Sequence, residues 1–249
     1  MDLSSTRTNK VLPYTLAGLT VAAFVATVVF LQTSDFSLAS FSDYRSLIID
    51  GIWGTILVSI ISLVGSLILG FVFYLFSISK SKYLNALTDI FTEIIYGTPL
   101  LVLIIVMAFL MGPAFNVYNR ELMGISGLII YMTPYMKNVY KSAFSSITKE
   151  QYMAMDLFGF TPFQRYRYII IPQVVRILMP PMMNNFSLII KGSALLNVLS
   201  YTELYYSIRI AQSKTFAFVE GYILMWGLYL LITIPLSQFT KYIERRWAL

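Results

Sequence analysis

Residues 51–79 read GIWGTILVSIISLVGSLILGFVFYLFSIS, with no Asp, Glu, Lys or Arg anywhere in the run. A helix that crosses a bilayer needs about 20 consecutive apolar residues. This run exceeds that, and its small residues do not interrupt it. A stretch of this kind belongs in lipid, and the rest of the chain agrees. Of 249 residues, 57% are hydrophobic and only 12% charged; the mean hydropathy is +0.72. Soluble domains carry about 25% charged residues. The chain is too apolar for one aqueous core.

Working outward, similar uncharged runs predict six helical spans, at about 11–33, 52–78, 88–112, 122–144, 173–199 and 220–241. The first run follows Arg7 and Lys10, as a signal peptide would. Its length and weak cleavage pattern predict an uncleaved span instead. Basic residues test the topology. Arg7, Lys10, Lys80, Lys82, Lys137, Lys141, Lys149, Arg165, Arg167, Lys241, Arg245 and Arg246 fall on one side. Arg45, Arg120, Arg209 and Lys214 fall on the other, among Asp35, Asp43, Asp50, Glu121, Glu203 and Glu220. The first group marks the cytoplasmic side, so both termini are expected inside. The net charge of +6 is explained by this asymmetry without nucleic acid.

The chain has no Cys and no His. That removes thiolate chemistry, the commonest general base and the commonest metal ligand. No catalytic residue and no metal site is predicted. An intramembrane enzyme would have to use Asp and Glu, and no convergent pair is present. A secondary transporter or channel, not coupled to an ATPase, is the alternative. It predicts inverted repeats and ionisable groups near the midplane. No repeat is evident and the candidate charges are few.

The inside loop 145–172 has structure of its own. Thr148-Lys-Glu-Gln151 has the form of a capping box. Gly159 is a stop, and Thr161-Pro162 is a restart. Two short helices joined at Gly159–Phe160 are predicted. Their apolar residues, Tyr152, Met153, Met155, Leu157, Phe158, Phe160 and Phe163, exceed what a solvated loop shows. Such a patch meets another protein or lies on the membrane surface. Elsewhere, Gly97-Thr98-Pro99 predicts a kink in the third span. Pro180-Pro181 with Asn184 and Asn185 predicts a break in the fifth. Lys191 falls in the outer half of the membrane, as a functional charge or a snorkelling one, with Glu93 as a possible partner. Ser200-x-x-Glu203 is again of capping-box form and opens a short external helix.

The loop also carries a resemblance. Met153-Ala-Met155, Gly159 and Ile169-Ile-Ile-Pro172 match the spacing of the EAA motif of ABC importer permeases, with Met153 where that motif has Glu. Further matches cover about 45–249. Trp53-Gly-Thr55-Ile-Leu57, Glu93-Ile-Ile-Tyr96-Gly97-Thr98-Pro99-Leu100, Pro172-Gln-x-x-Arg176, Lys191-Gly-Ser193-Ala-Leu195, Glu203-Leu204 and Glu244-Arg-Arg-Trp247 follow in the order found in permeases of the polar amino acid (histidine, glutamine, arginine) type. Tyr96 stands where Arg is usual, Leu103 where Gln often follows, and Gly192 where Asp is usual.

The resemblance implies an all-α integral membrane protein with a five-helix type I importer core, residues 45–249, and one added N-terminal helix and linker, residues 1–44. It implies that the loop at about 148–167 is a coupling helix docked on a cytoplasmic ABC ATPase dimer, through Gln151, Tyr152, Met153, Ala154, Met155, Phe158, Gly159 and Phe160. It implies a substrate path through Tyr96, Thr98, Pro99, Asn184, Ser187, Lys191 and Ser193. A second permease subunit, identical or paralogous, would complete the path, and an external binding protein would deliver a polar or basic amino acid. No phosphate-binding loop is present, so ATP and Mg would sit on the partner ATPase, with no cofactor on this chain. The expected location is the bacterial inner membrane.

Overall fold

The computed structural model describes residues 5–32 and 36–247, and among them there is no strand. Asp35, counted above with the outside acids, lies outside the described residues. Helix α1 (Ser5–Gln32) matches the first predicted span. Its stretch Thr15–Gln32 is exposed along its whole length. The hydroxyls of Thr15, Thr20 and Thr27 each donate to a carbonyl of the preceding turn. The helix therefore presents hydrocarbon, with its polar atoms satisfied internally, as lipid requires.

A short 3₁₀ turn (Leu38–Tyr44) leads into α2 (Arg45–Ser77), which holds the opening stretch. Helix α2 is inside-out relative to a soluble helix. Most of its buried residues are small or polar, Gly51, Thr55, Ser59, Ser62, Ser66 and Gly70, with Ile48, Val58 and Tyr74 as the larger apolar members. Its exposed line is large and apolar, including Trp53 at 65%, Leu57 at 56% and Ile68 at 60%. Small residues let helices approach closely where no hydrophobic effect drives them together. A Cβ at Gly70 would collide with Met136 of α6 (Arg120–Ser145), and one at Gly65 with Ile129. Helices α2 and α6 thus form the tightest pair.

The third predicted span is two helices, not one. Helix α3 (Lys82–Gly97) and the helical segment starting with α4 (Leu100–Val106) meet at an angle of 109°. The cause is local. Proline excludes the helical conformation from the residue before it, and Thr98 is extended at φ −104°, ψ 123°. The segment continues through a π turn (Met107–Met111) to α5 (Gly112–Ala114).

After α6 come α7 (Lys149–Leu157), a single turn α8 (Pro162–Gln164), a π turn (Arg165–Ile170) and α9 (Ile171–Ser193). The fifth predicted span needs two corrections. Pro180 and Pro181 do not break it, because both lie within continuous α9. Each proline removes one backbone bond, while packing on α6 and α11 (Phe218–Trp247) holds the helix together. The helix also ends at Ser193, not at 199. Residues Ala194–Leu199 tighten into a 3₁₀ helix that stops at Ser200, in the left-handed conformation at φ 62°. Helix α10 (Leu204–Thr215) then precedes α11.

Helices occupy all six predicted spans. By length and apolarity alone, α1, the run Leu38–Ser77 and α11 qualify to cross a membrane, and the bent pair makes a fourth. Helices α6 and α9 are about 39 and 35 Å long at 1.5 Å per residue, enough to span. They fall short on composition because they carry Lys137, Lys141, Arg176, Lys191 and the Asn pair.

Candidate coupling and translocation site

The loop after α6 is tightly specified. Thr148 caps α7 by accepting from the Gln151 N–H at 3.4 Å. The expected reciprocal bond is missing, because the Gln151 amide reaches across to Gln173 at 3.3 Å. Helix α7 ends in a full Schellman arrangement. Phe160 N–H donates to the Met155 carbonyl and Gly159 N–H to that of Asp156, both at 3.0 Å. Gly159 takes φ +66°, where a side chain is strained. The restart is a complete capping box. Gln164 N–H donates to Thr161 Oγ1 at 3.3 Å, and Thr161 N–H to Gln164 Oε1 at 2.9 Å. Arg165 then closes the hairpin, with Nε donating to the Phe160 carbonyl at 2.9 Å and the guanidinium pairing with Asp156 at 2.6 Å.

This hairpin divides its apolar residues between two faces. Met155 is 3% exposed and packs against Ala143, Ile147, Ile170 and Val174. Met155 thus belongs to the support of the loop and not to its outer surface. Gln151, Tyr152 and Phe160 are half-buried, while Ala154 and Gly159 are exposed. The outward edge carries Met153 at 56%, Leu157 at 88% and Phe158 at 82%. Phe163, at 72%, extends it. Leu157 and Phe163 were absent from the expected contact set. Leu157, two residues after buried Met155 in α7, falls on the opposite side of that helix, and Phe163 sits on the separate turn α8.

The second cluster surrounds the bend at Gly97–Pro99. Thr98 Oγ1 donates to the Ile94 carbonyl at 2.6 Å, satisfying one acceptor freed at the end of α3. A Cβ at Gly192 would press on Leu100, so the bend and the Lys191–Ser193 segment are neighbours. Asn184 and Lys191 are exposed and Ser187 is half-buried, along one side of α9. Ser193 faces the other way, fully buried, donating to the Ile190 carbonyl at 2.9 Å. No ion pair joins Glu93 and Lys191 among the described residues. Tyr96 is engaged differently: its hydroxyl accepts from the Asn138 amide at 2.7 Å, and its ring lies 5.1 Å from that of Tyr135. Lys137 is 6% exposed and donates to Thr92 at 2.7 Å. From sequence it counted only as a cytoplasmic charge. Its position four residues before Lys141 did not reveal that it turns inward against α3.

A third arrangement fixes the far end. Glu203 is fully buried, and it is itself the N-cap of α10. Ser200, expected to begin a capping box, instead ends the preceding turn. The carboxylate accepts from Tyr206 N–H at 2.6 Å, Tyr205 N–H at 2.8 Å and the Tyr229 hydroxyl of α11 at 3.0 Å. Leu204 N–H donates to Thr55 of α2 at 3.0 Å, and Glu203 N–H to the Tyr201 carbonyl at 2.9 Å. All four N–H groups that a helix start leaves open are thereby used. Burial pushes the Glu203 carboxyl up to about 7, against the opposing pull of these donors.

No group of three or more Asp or Glu side chains able to hold a metal occurs among the described residues. The arrangement is a bend at Thr98–Pro99, a buried cap at the start of α10 and a protruding hairpin after α6.

Residues 66–249 match the family described as the binding-protein-dependent transport system inner membrane component. A probable glutamine ABC transporter permease protein, GlnM of Bacillus subtilis, is 32% identical over 204 residues, covering 82% of this chain and 94% of that protein. The glutamine transport system permease protein GlnP of Escherichia coli is 27% identical over 202 residues, covering 80% and 92%. A crystal structure of an amino acid ABC transporter with histidines superposes with a TM-score of 0.76 at 26% identity, over 85% of this chain and 99% of that one. An inward-facing MetNI methionine ABC transporter shares the fold, with a TM-score of 0.61 at 17% identity over 81% and 98%. The chain belongs to the binding-protein-dependent transport system inner membrane components, as a membrane-spanning permease subunit of an ABC importer.

Proposed function

We propose that this permease carries a polar amino acid inward, powered by a separate cytoplasmic ATPase dimer that grips the hairpin 148–167. The observation that carries the reading is the exposed edge Met153–Leu157–Phe158 on a hairpin held rigid by a Schellman stop, a capping box and an ion pair. Isolated apolar side chains at a surface need no explanation, but a continuous edge on a rigid support favours a partner. Closure of the ATPase dimer around ATP and Mg would push this knob. Because Met155 packs on α6 and α9 residues, the push passes directly to two spans and opens the path alternately to each side.

The path runs beside the bend at Thr98–Pro99 and the side of α9 that bears Asn184, Ser187 and Lys191, with Tyr96 at its inner part. Ser193 supports it from behind. A second permease copy or paralogue completes the wall, and an external binding protein delivers the substrate. Arg176 and Lys191 are the two charges on that side of α9; Lys191, next to the segment that neighbours the bend, is the one that suits a substrate carboxylate. Tyr96 and Gly192, at positions where related chains carry Arg and Asp, leave the side-chain pocket uncharged. An uncharged polar side chain is therefore expected, and the glutamine named for relatives supports it. Residues 45–249 act as the permease domain, residues 1–44 add a peripheral span, and both termini lie in the cytoplasm by the distribution of basic residues.

The test is co-purification and transport by the full transporter. Met153→Asp with Leu157→Asp is expected to abolish ATPase co-purification and uptake, with the permease still inserted. Retention of the ATPase by that variant rejects the docking edge. Uptake assays across glutamine, arginine and glutamate are expected to favour glutamine, and a preference for a charged amino acid contradicts the substrate reading.

A further inference from the structure

A cavity of about 390 Å³ lies where the end of α2, the end of α6 and the coupling hairpin meet. Phe71 and Leu75 of α2 form its apolar wall, 38% and 45% exposed. Tyr74 of α2, Lys141 of α6, Tyr152 of α7 and Tyr166 of the π turn supply its polar groups. No carboxylate lines it. The hydroxyls of Tyr74 and Tyr152 have no hydrogen-bond partner among the described residues. Ring stacking of Tyr74 on Phe144, at 5.2 Å and 12°, fixes one side of the cavity.

We infer that this cavity holds the phosphate of an acidic phospholipid from the cytoplasmic leaflet, with an acyl chain along Phe71 and Leu75. One cation, phenolic donors and no acid make the mouth selective for an anion. The apolar wall continues along the exposed face of α2 into the span at Ile68 and Val64, 60% and 50% exposed, so an acyl chain has a surface to follow. Basic pockets between spans on the cytoplasmic side are suited to anionic headgroups. The larger cavity at the opposite end of α2, about 530 Å³, makes the contrast. Its lining offers Arg45 and Ser42 but no phenol, so an anion finds fewer donors there than at the cavity beside the hairpin. The site rests on the cytoplasmic placement of the hairpin. Its consequence is mechanical. Tyr152 rides on the coupling helix while Tyr74 and Lys141 belong to spans, so a bound headgroup ties the knob to the bundle it moves.

The test uses the complete transporter in bilayers of phosphatidylcholine alone or with phosphatidylglycerol. Retained phosphatidylglycerol is counted by mass spectrometry, and ATP-driven uptake is measured in parallel. Lys141→Gln is expected to weaken retention about fivefold, the worth of one basic residue near an anionic surface. Tyr152→Phe with Tyr166→Phe is expected to weaken it further. Lys141→Arg restores it, and Lys214→Gln leaves it unchanged. Equal retention by wild type and Lys141→Gln overturns the site. Displacement of the lipid by soluble glycerol phosphate at matched concentration overturns the lipid assignment in favour of a free anion. ATPase co-purification by Lys141→Gln stays at the wild-type level, so failure of the lipid site is distinguishable from failure of the docking edge.

Discussion

The α10 end and the hairpin end of this permease are both built from short capped helices, but the caps attach to different things. At the α10 end, Glu203 caps α10 and also accepts from Tyr229 of α11, while Thr55 of α2 accepts the next N–H. The cap is buried and ties three elements into one. At the hairpin end, every bond closes on the hairpin itself: Thr148 to Gln151, Phe160 to Met155, Thr161 to Gln164, Arg165 to Asp156. Only Met155 and its neighbours, with one amide bond to Gln173, join the hairpin to the spans. One end is anchored to the bundle, and the other is a rigid body on an apolar hinge. That asymmetry suits the proposed role, in which the hairpin receives a push and the other end keeps its shape.

The sharpest way to break the comparison is to remove the buried anchor. Glu203→Ala leaves buried donors on α10 and Tyr229 unpaired and is expected to cost about 3 kcal/mol or more, read as a drop in the melting temperature of the solubilised protein. The same carboxyl predicts a pH dependence. Its value in the fold, about 7, lies above the ordinary carboxyl range, so its favourable contribution is complete below about pH 4.5. That contribution is lost as pH rises through 7, a change of up to about 3 kcal/mol. The melting temperature is expected to fall over that window in wild type and to stay flat in Glu203→Gln. Next comes Gly54→Ala, whose Cβ would collide with the Thr202 carbonyl beside the anchor. About 1–3 kcal/mol is expected.

At the hairpin end the effects are smaller, because the strain stays local. Gly159→Ala, at φ +66°, is expected to cost about 1 kcal/mol. It also blunts coupling, so ATP hydrolysis persists while uptake falls. Asp156→Asn is smallest. Asp156 is 60% exposed, and such pairs contribute about 0–1 kcal/mol. A large stability loss in this last variant would show that the hairpin is not self-contained.

Much of this was legible in the sequence. Uncharged runs gave the six helices, and Gly159 with Thr161-Pro162 gave the hairpin. The bend at Thr98-Pro99 was legible as a position but not as an angle, because a pre-proline residue leaves the helical region without saying where the next helix will point. Pro180-Pro181 misled for the opposite reason. Two lost backbone bonds break an isolated helix, but here packing on two neighbours carries the helix past them, and neighbours are not written in a local window. The line Gly51, Thr55, Ser59, Ser62, Ser66, Gly70 was visible at helical spacing. It was obscured because the eye follows large apolar residues, which in lipid face outward. Lys137 and Glu203 show the same limit. A charge in a sequence has a sign and a place along the chain, but its burial depends on helices far away, such as α3 for Lys137 and α11 for Glu203.

The account stands on the claim that the outward edge of the hairpin is the grip for the ATPase. The absence of native cysteine makes a direct measurement possible. Leu157→Cys, 88% exposed in wild type, is reacted with a membrane-impermeant maleimide from the cytoplasmic side, with and without the ATPase subunits. The account predicts rapid labelling of the permease alone and strong protection in the assembled transporter. Equal labelling in both states contradicts it.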